Sequence, residues 1–292
     1  MDQKITDLYD EYTTRQLNRR AFFKKLTKLA GGAVAAAALL PLLEKNYARA
    51  EVVAKDDPRL HTEYIKYSGE TGDIRAHLAR PKGDAKLPAV LVIHENKGLH
   101  PHIEDVARRV ALEGFVVIAP DALYPLGGTP GDIDEARSLM RKLDKPATVK
   151  NFVAAVKYLE TNPLTTGKVG CMGFCWGGAM TNQVAVHCAD LTAAVPFYGR
   201  QPDEADVAKI KAALLCHYGG LDKRINEGIP AFEKALKAAS VEYKIYMYEG
   251  AAHAFFNDTN DNRYHKEAAE LAWKRTIAFF KEKLKTPRRG EP

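Results

Sequence analysis

Five short apolar runs limit this chain to one kind of architecture. They are Ala89-Val90-Leu91-Val92-Ile93, Phe115-Val116-Val117-Ile118-Ala119, Lys168-Val169-Gly170-Cys171-Met172-Gly173, Ala193-Ala194-Val195-Pro196-Phe197-Tyr198 and Ala213-Leu214-Leu215-Cys216-His217-Tyr218. A strand with one wet face alternates apolar and polar residues, whereas these are almost continuously apolar, as strands covered on both faces must be. Amphipathic stretches lie between and beyond them at Ile103–Glu113, Ile133–Leu143, Ala147–Thr161, Gly178–His187 and Gly228–Ser240, with a closing helix at His265–Leu284. This alternation predicts an α/β fold: a mostly parallel central sheet with helices on both faces. Glu63–Tyr67 and Arg75–Ala79 read as an antiparallel opening pair turning near Gly72-Asp73, and Tyr243–Tyr248 as a last, more alternating strand.

Residues 1–50 are set apart from this pattern. Arg19-Arg20 and the basic cluster around Phe22 and Phe23 precede an apolar run from Leu29 to Leu43, and Ala48-Arg49-Ala50 offers a small-x-small cleavage site. The run is shorter than the roughly 20 residues a spanning helix needs. The order resembles a twin-arginine export signal, which implies the twin-arginine export machinery as partner of the precursor, cleavage near Ala50-Glu51, and a periplasmic or extracellular address. An uncleaved anchoring helix is the other reading. Residues 51–292 are then expected to form a single domain.

Residues 1–50 hold nine Lys and Arg against five Asp and Glu, so +4 of the chain's formal +6 lies there. The remainder is nearly neutral and carries no basic stripe interleaved with aromatics, which argues against nucleic-acid binding. Cys171, Cys175, Cys188 and Cys216 are too few and too irregular for a disulfide framework or a zinc site, and neither a metal nor a cofactor is expected.

In a sheet of this kind chemistry collects at the carboxyl ends of the strands. Gly173-Phe174-Cys175-Trp176-Gly177 has the G-x-nucleophile-x-G pattern of a strand-to-helix elbow, with sulfur in the nucleophile's place. Two later strand ends carry Asp222 and His253, in the order nucleophile, acid, histidine; Asp222 would hold the tautomer of His253, which would shuttle the proton. Taken singly, Cys175 could be a buried structural thiol, Asp222 a helix cap and His253 a loop residue. The early strand end Ile93-His94-Glu95-Asn96-Lys97-Gly98 should supply one oxyanion donor, the Asn96 N–H, beside the Trp176 N–H. Glu95 would compete with an oxyanion unless it had its own task, and accepting the Cys175 proton is one. His94, His187 and His217 read as structural, while His100 and His102 are expected on the loop beside the site.

From about Tyr64 to Leu284 the chain resembles the dienelactone hydrolase (carboxymethylenebutenolidase) family of α/β-hydrolases. The motifs that carry the likeness are His94-Glu95-Asn96-Lys97-Gly98-Leu99, Ala119-Pro120-Asp121, Gly173-Phe174-Cys175-Trp176-Gly177-Gly178, Gly219-Gly220-Leu221-Asp222 and Gly250-Ala251-Ala252-His253-Ala254-Phe255. The resemblance implies an α/β-hydrolase fold and a Cys175-Asp222-His253 triad. It further implies that Glu95 takes the proton of a resting neutral thiol when substrate binds, and that the thiolate attacks a lactone or small-ester carbonyl to give an acyl-enzyme. One departure bears on the substrate: four positions after the histidine, where the family carries an arginine for the substrate carboxylate, stands Asn257. Arg137, Arg141 and Arg263 are candidate replacements, and neutral lactones and esters are expected to compete well. A fold retained for binding or sensing would be marked by missing catalytic residues, and none is missing; a different ester or thioester would use the same chemistry.

Overall fold

The computed structural model describes Leu8, residues 19–44 and residues 51–285. Arg19–Ala30 (α1) and Ala33–Glu44 (α2) are helices on either side of Gly31, whose φ of +77° belongs to the left-handed region. Most of the apolar run expected as a signal core lies in α2, and among the described residues no helix is long and apolar enough to cross a membrane. The Ala48-Arg49-Ala50 tripeptide lies outside the described residues.

The sheet begins with a hairpin, Leu60–Gly69 (β1) and Gly72–Pro81 (β2), paired antiparallel with Gly69 opposite Gly72. The turn is therefore Glu70-Thr71, two residues before Gly72-Asp73, and Gly72 enters β2 at φ +101°. There follow Leu87–Ile93 (β3), Pro101–Leu112 (α3), Val116–Pro120 (β4), Ile133–Met140 (α4), Lys145–Thr161 (α5), Thr165–Phe174 (β5) and Trp176–His187 (α6). The chain closes with Ala193–Phe197 (β6), Ala213–Gly219 (β7), the single turn Lys223–Asn226 (α7), Ile229–Ala238 (α8), Tyr243–Tyr248 (β8) and Lys266–Lys283 (α9). The strand order is β1-β2-β4-β3-β5-β6-β7-β8, with β3 to β8 parallel and β2 antiparallel to its neighbours.

Alternate residues of one strand feed two cores. Ala89, Leu91 and Ile93 of β3 pack on the side of α5, α6 and α8, and Val90 and Val92 pack on the side of α3 and α9. This double burial is why the strands read as unbroken apolar runs. At the sheet's edge β8 is only partly covered, which accounts for its alternation.

Helix starts differ from expectation where prolines and caps operate. Pro101 and Pro146 occupy first-turn positions of α3 and α5, where a missing N–H costs nothing, and Asp144 caps α5 by accepting from Ala147 N at 2.7 Å. His102, expected on a loop, is thus a buried residue of α3, and His100 is its N-cap.

After β3 the chain crosses to β4 on one side and then returns past β3 to β5 on the other. The carboxyl ends of β3 and β5 are therefore the switch point of the sheet, where its loops part and leave a crevice. Glu95 and Asn96 leave β3 there, and Cys175 leaves β5.

Candidate active site

Cys175 follows β5 with φ +56° and ψ −112°, a conformation that L residues avoid unless the surroundings impose it. The surroundings are backbone at contact distance. Cys175 N donates to Phe197 O at 3.0 Å, and Ala179 N to Cys175 O at 3.1 Å. A Cβ at Gly177 would lie 2.4 Å from both the Ile93 and His94 carbonyl oxygens, and one at Gly173 would lie 2.3 Å from Gly177 O. The elbow therefore requires glycine on both sides of the sulfur. Four non-glycine residues have positive φ in the described chain: Cys175, Tyr198, Ser240 and Ala254. Three of these belong to the site, since Ala254 follows His253 and the Tyr198 ring packs edge-on against His253 at 5.1 Å.

Asp222 follows β7 and serves two partners. One carboxylate oxygen caps α7 by accepting from Ile225 N at 3.4 Å, and the other accepts from His253 Nδ1–H at 2.5 Å. The helix cap and the contact to His253 are thus both made by one side chain. With Nδ1 engaged, His253 Nε2 is the nitrogen left for chemistry; it is buried and makes no hydrogen bond of ordinary geometry. Burial pushes the imidazole toward its neutral form. Negative charge on the nearby Cys175 sulfur and the hydrogen bond to Asp222 outweigh that and carry its pKa up to about 10.

The loop after β3 is braced from below. Ala122 N–H donates to His94 Nε2 at 3.1 Å, so His94 Nδ1 carries the proton and donates to Glu95 O at 2.6 Å. The His94 ring stacks on Trp176, with centroids 5.4 Å apart and planes 14° apart. The buried carboxylate of Asp121 accepts from Leu123 N, Thr129 N and Thr129 Oγ1, and Thr129 Oγ1 in turn accepts from Leu99 N at 2.8 Å. The Pro120-Asp121 motif thus secures the Glu95 loop at a distance from the chemistry.

Between these elements lies a cleft of about 290 Å³, counting its open mouth, lined by Glu95, Asn96, Lys97, Cys175, His253, Ala254, Asn257, Asn260 and Arg263. Of the sequence candidates it brings together Cys175, His253, Glu95, Asn96, Asn257 and Arg263, with Asp222 behind His253 and Trp176 at the first position of α6. Arg137 is buried beside Lys97 and within 3.2 Å of Asp134, outside the cleft lining. Arg141 is exposed at the end of α4 and also takes no part in the lining. Asn257 faces Glu95: its Nδ2 donates to Glu95 Oε2 at 2.9 Å.

Lys97, Asn260 and Tyr198 are residues of the site that sequence reasoning passed over. Lys97 stands inside the motif that holds Glu95, and a cation two residues from that carboxylate at the end of a buried strand was the available signal. Burial first, and the charge of Arg137 second, bias the Lys97 amine toward its neutral form. His217 and His94 are fully buried, and His187 is exposed at the end of α6. His102 Nδ1 lies 3.2 Å from Asp258 Oδ1, one residue beyond Asn257. Among the described residues no group of His, Cys, Asp and Glu is placed to hold a metal ion.

Comparison with known proteins places these features in one family. The dienelactone hydrolase family profile matches residues 74–284. A protein of Escherichia coli strain K12 assigned as a carboxymethylenebutenolidase is 32% identical over 247 residues, covering 79% of this chain and 90% of that protein. One so assigned in Saccharolobus solfataricus is 31% identical over 255 residues, covering 74% and 97%. The solved structure of an assigned dienelactone hydrolase from Klebsiella pneumoniae superposes with a TM-score of 0.68 at 29% identity, covering 76% of this chain and 98% of that one. The chain belongs to the dienelactone hydrolase family of α/β-hydrolases and is a carboxylic ester hydrolase.

Proposed function

We propose that the protein hydrolyses lactones or small carboxylic esters through a thioester on Cys175, with Asp222 and His253 completing the triad and Glu95 accepting the thiol proton. The observation that carries this reading is the elbow sulfur at φ +56° facing the same cleft as a histidine whose Nδ1 is held 2.5 Å from Asp222. Glu95 takes the proton, the thiolate attacks the carbonyl carbon, and the backbone N–H groups of Trp176 and Asn96 stabilise the oxyanion. When the C–O bond breaks, the leaving oxygen takes its proton from His253. Until the attack, the charge on sulfur supports the imidazolium, whose pKa stands at about 10. The attack moves that charge to the oxyanion, so His253 has lost that support when it gives up its proton. It becomes the base that deprotonates water, which cleaves the thioester and releases the acid. Glu95 returns its proton to the expelled thiolate.

The test is an ester and lactone panel with Cys175→Ala and His253→Gln as controls, and mass spectrometry of protein quenched during turnover. A covalent acyl adduct on the Cys175 peptide is expected; full turnover by Cys175→Ala would refute the nucleophile.

The protein further acts outside the cytoplasm, exported by the twin-arginine machinery and cut near Ala50-Glu51. Arg19-Arg20 and the apolar run after it support this. So does the fixed position of the chain just past the cut, where Val52 N and Val53 N donate to the buried Asp105 carboxylate at 3.1 and 2.8 Å and Arg108 Nε donates to Val53 O at 2.9 Å. Mass spectrometry of native material should find Glu51 as the first residue, and intact Met1 on cytosolic protein would overturn the export reading.

A further inference from the structure

The carboxamide of Asn257 is held at three points. Nδ2 donates to Glu95 Oε2 at 2.9 Å, while Oδ1 accepts from Thr259 N at 3.1 Å and from Thr259 Oγ1 at 2.6 Å. A backbone N–H can only donate, so Oδ1 must face Thr259 and the amino group must face Glu95. Asn257 is 2% exposed and Glu95 9%, so water competes little for this bond. The loop around it is fixed: Asn257 N donates to Ala254 O at 3.0 Å, Asn260 N to Asn257 O at 3.1 Å, and Asp258 Oδ2 lies 2.7 Å from Arg109 Nη1. Glu95 Oε1, by contrast, makes no hydrogen bond among the described residues, and Glu95 shares the cleft with Cys175.

We propose that Asn257 is the positioning residue of Glu95: it fixes one carboxylate oxygen through a neutral amide and leaves the other to receive the Cys175 proton. This rests on the reading of Glu95 as the thiol's proton acceptor. The choice of an amide has a chemical consequence. A guanidinium in that place would form an ion pair with the carboxylate, which a proton transfer would have to weaken, whereas a neutral donor orients the carboxylate and opposes its protonation far less. Asn257 therefore acts on the acylation half of the reaction. Deacylation runs through His253 and draws on Glu95 only at its end, when the expelled thiolate takes its proton back.

Single-turnover kinetics with p-nitrophenyl acetate separate the two halves. Asn257→Asp keeps an oxygen acceptor for Thr259 but loses the donor to Glu95. Acylation should slow by about tenfold to a hundredfold, the worth of a hydrogen bond to a charged group, while the deacylation rate is held. Thr259→Val, which removes one of the two bonds that aim the amide, should slow acylation less and in the same half only; it carries the test if Asn257→Asp folds poorly. In the double variant Glu95→Gln with Asn257→Asp the bond can re-form with its polarity reversed, so the melting temperature should recover toward wild type with acylation still lost. Wild-type acylation in Asn257→Asp overturns the proposal, and so does equal slowing of acylation and deacylation, which marks a loosened His253 loop. Wild-type acylation in Glu95→Gln alone overturns instead the role of Glu95 on which the proposal stands.

Discussion

Replacing Cys175 by alanine should change how His253 titrates, and the size of the change can be worked from the site. Moving an imidazole pKa from 6.5 to about 10 corresponds to on the order of 5 kcal/mol, at about 1.4 kcal/mol per pH unit. Burial works against that rise, so the charge of the sulfur and the Asp222 hydrogen bond supply it. A single close opposite charge is worth about 1–3 pH units, so in Cys175→Ala the pKa should fall to about 7–9. The effect on stability has a definite sign. A folded-state pKa raised above the unfolded value contributes stability that is fully present below pH 6.5 and is lost as pH rises through about 10. In the variant the loss should be smaller by about 1–4 kcal/mol and complete at lower pH. Long-range 1H–15N correlation of the imidazole nitrogens gives the pKa directly, and urea unfolding at pH 6, 8 and 10 gives the stability. If His253 titrates alike in both proteins, the sulfur carries no charge over the range in which the imidazole loses its proton. The raised pKa of the free enzyme would then rest on Asp222 alone, and the part assigned to the sulfur would be refuted.

Gly177→Ala should abolish activity and lower the melting temperature, because its Cβ would stand 2.4 Å from the Ile93 and His94 carbonyl oxygens and backbone on both sides cannot yield; differential scanning calorimetry checks it, and a folded, active variant would contradict the elbow geometry. For a substrate acid and its methyl ester, kcat/KM at pH 8 should differ by less than about tenfold, since burial biases Lys97 toward the neutral amine, and the acid should gain as pH falls and the amine takes a proton. Lys97→Met should remove that pH dependence, and a preference that stays constant from pH 6 to 9 would assign the contact to Arg263. Iodoacetamide should label the native mature protein on Cys175 alone, with labelling of Cys171 only after unfolding; a Cys171–Cys175 disulfide in native material would refute this.

The parallel strands could be read because burial on both faces leaves a local mark that each strand carries by itself. That Cys175, Asp222 and His253 would come together could be read for a similar reason: each sits where an apolar run meets glycine, and their order along the chain matches the order of the strands. What escaped was decided by contacts between distant residues. Nothing near Asn257 announces that its amide meets Glu95, 162 residues away in sequence. Likewise His102 looks like a loop residue until Pro101 is seen to start α3 and Asp258 to meet the ring. Arg141 and Arg137 share the helical segment expected to supply a substrate arginine, yet the end of α4 at Met140 leaves one exposed and the turn before it buries the other beside Lys97. Periodicity reports which residues are inside; it is silent on which of them meet.

The same distinction explains how a thiol nucleophile could serve in an oxidising compartment. Along β5 the side chains alternate between the two cores, so Cys171 packs toward α5 and α6, with Sγ 3.6 Å from Thr181 Oγ1, while Cys175 beyond the strand end packs with the opposite core. Burial pushes the thiols of Cys171 and Cys216 up to about 12 and raises that of Cys188, which leaves little thiolate at neutral pH on any of the three. Cys175 is half-buried, and the other three are not accessible once the chain is folded. Oxidation to a disulfide needs two thiols that can meet, and Cys171 and Cys175 pack with opposite cores. A protein exported after folding would carry that separation with it, so Cys175 would face the oxidant without an internal partner, and the glycines that force its backbone to φ +56° would secure both its reach into the cleft and its isolation.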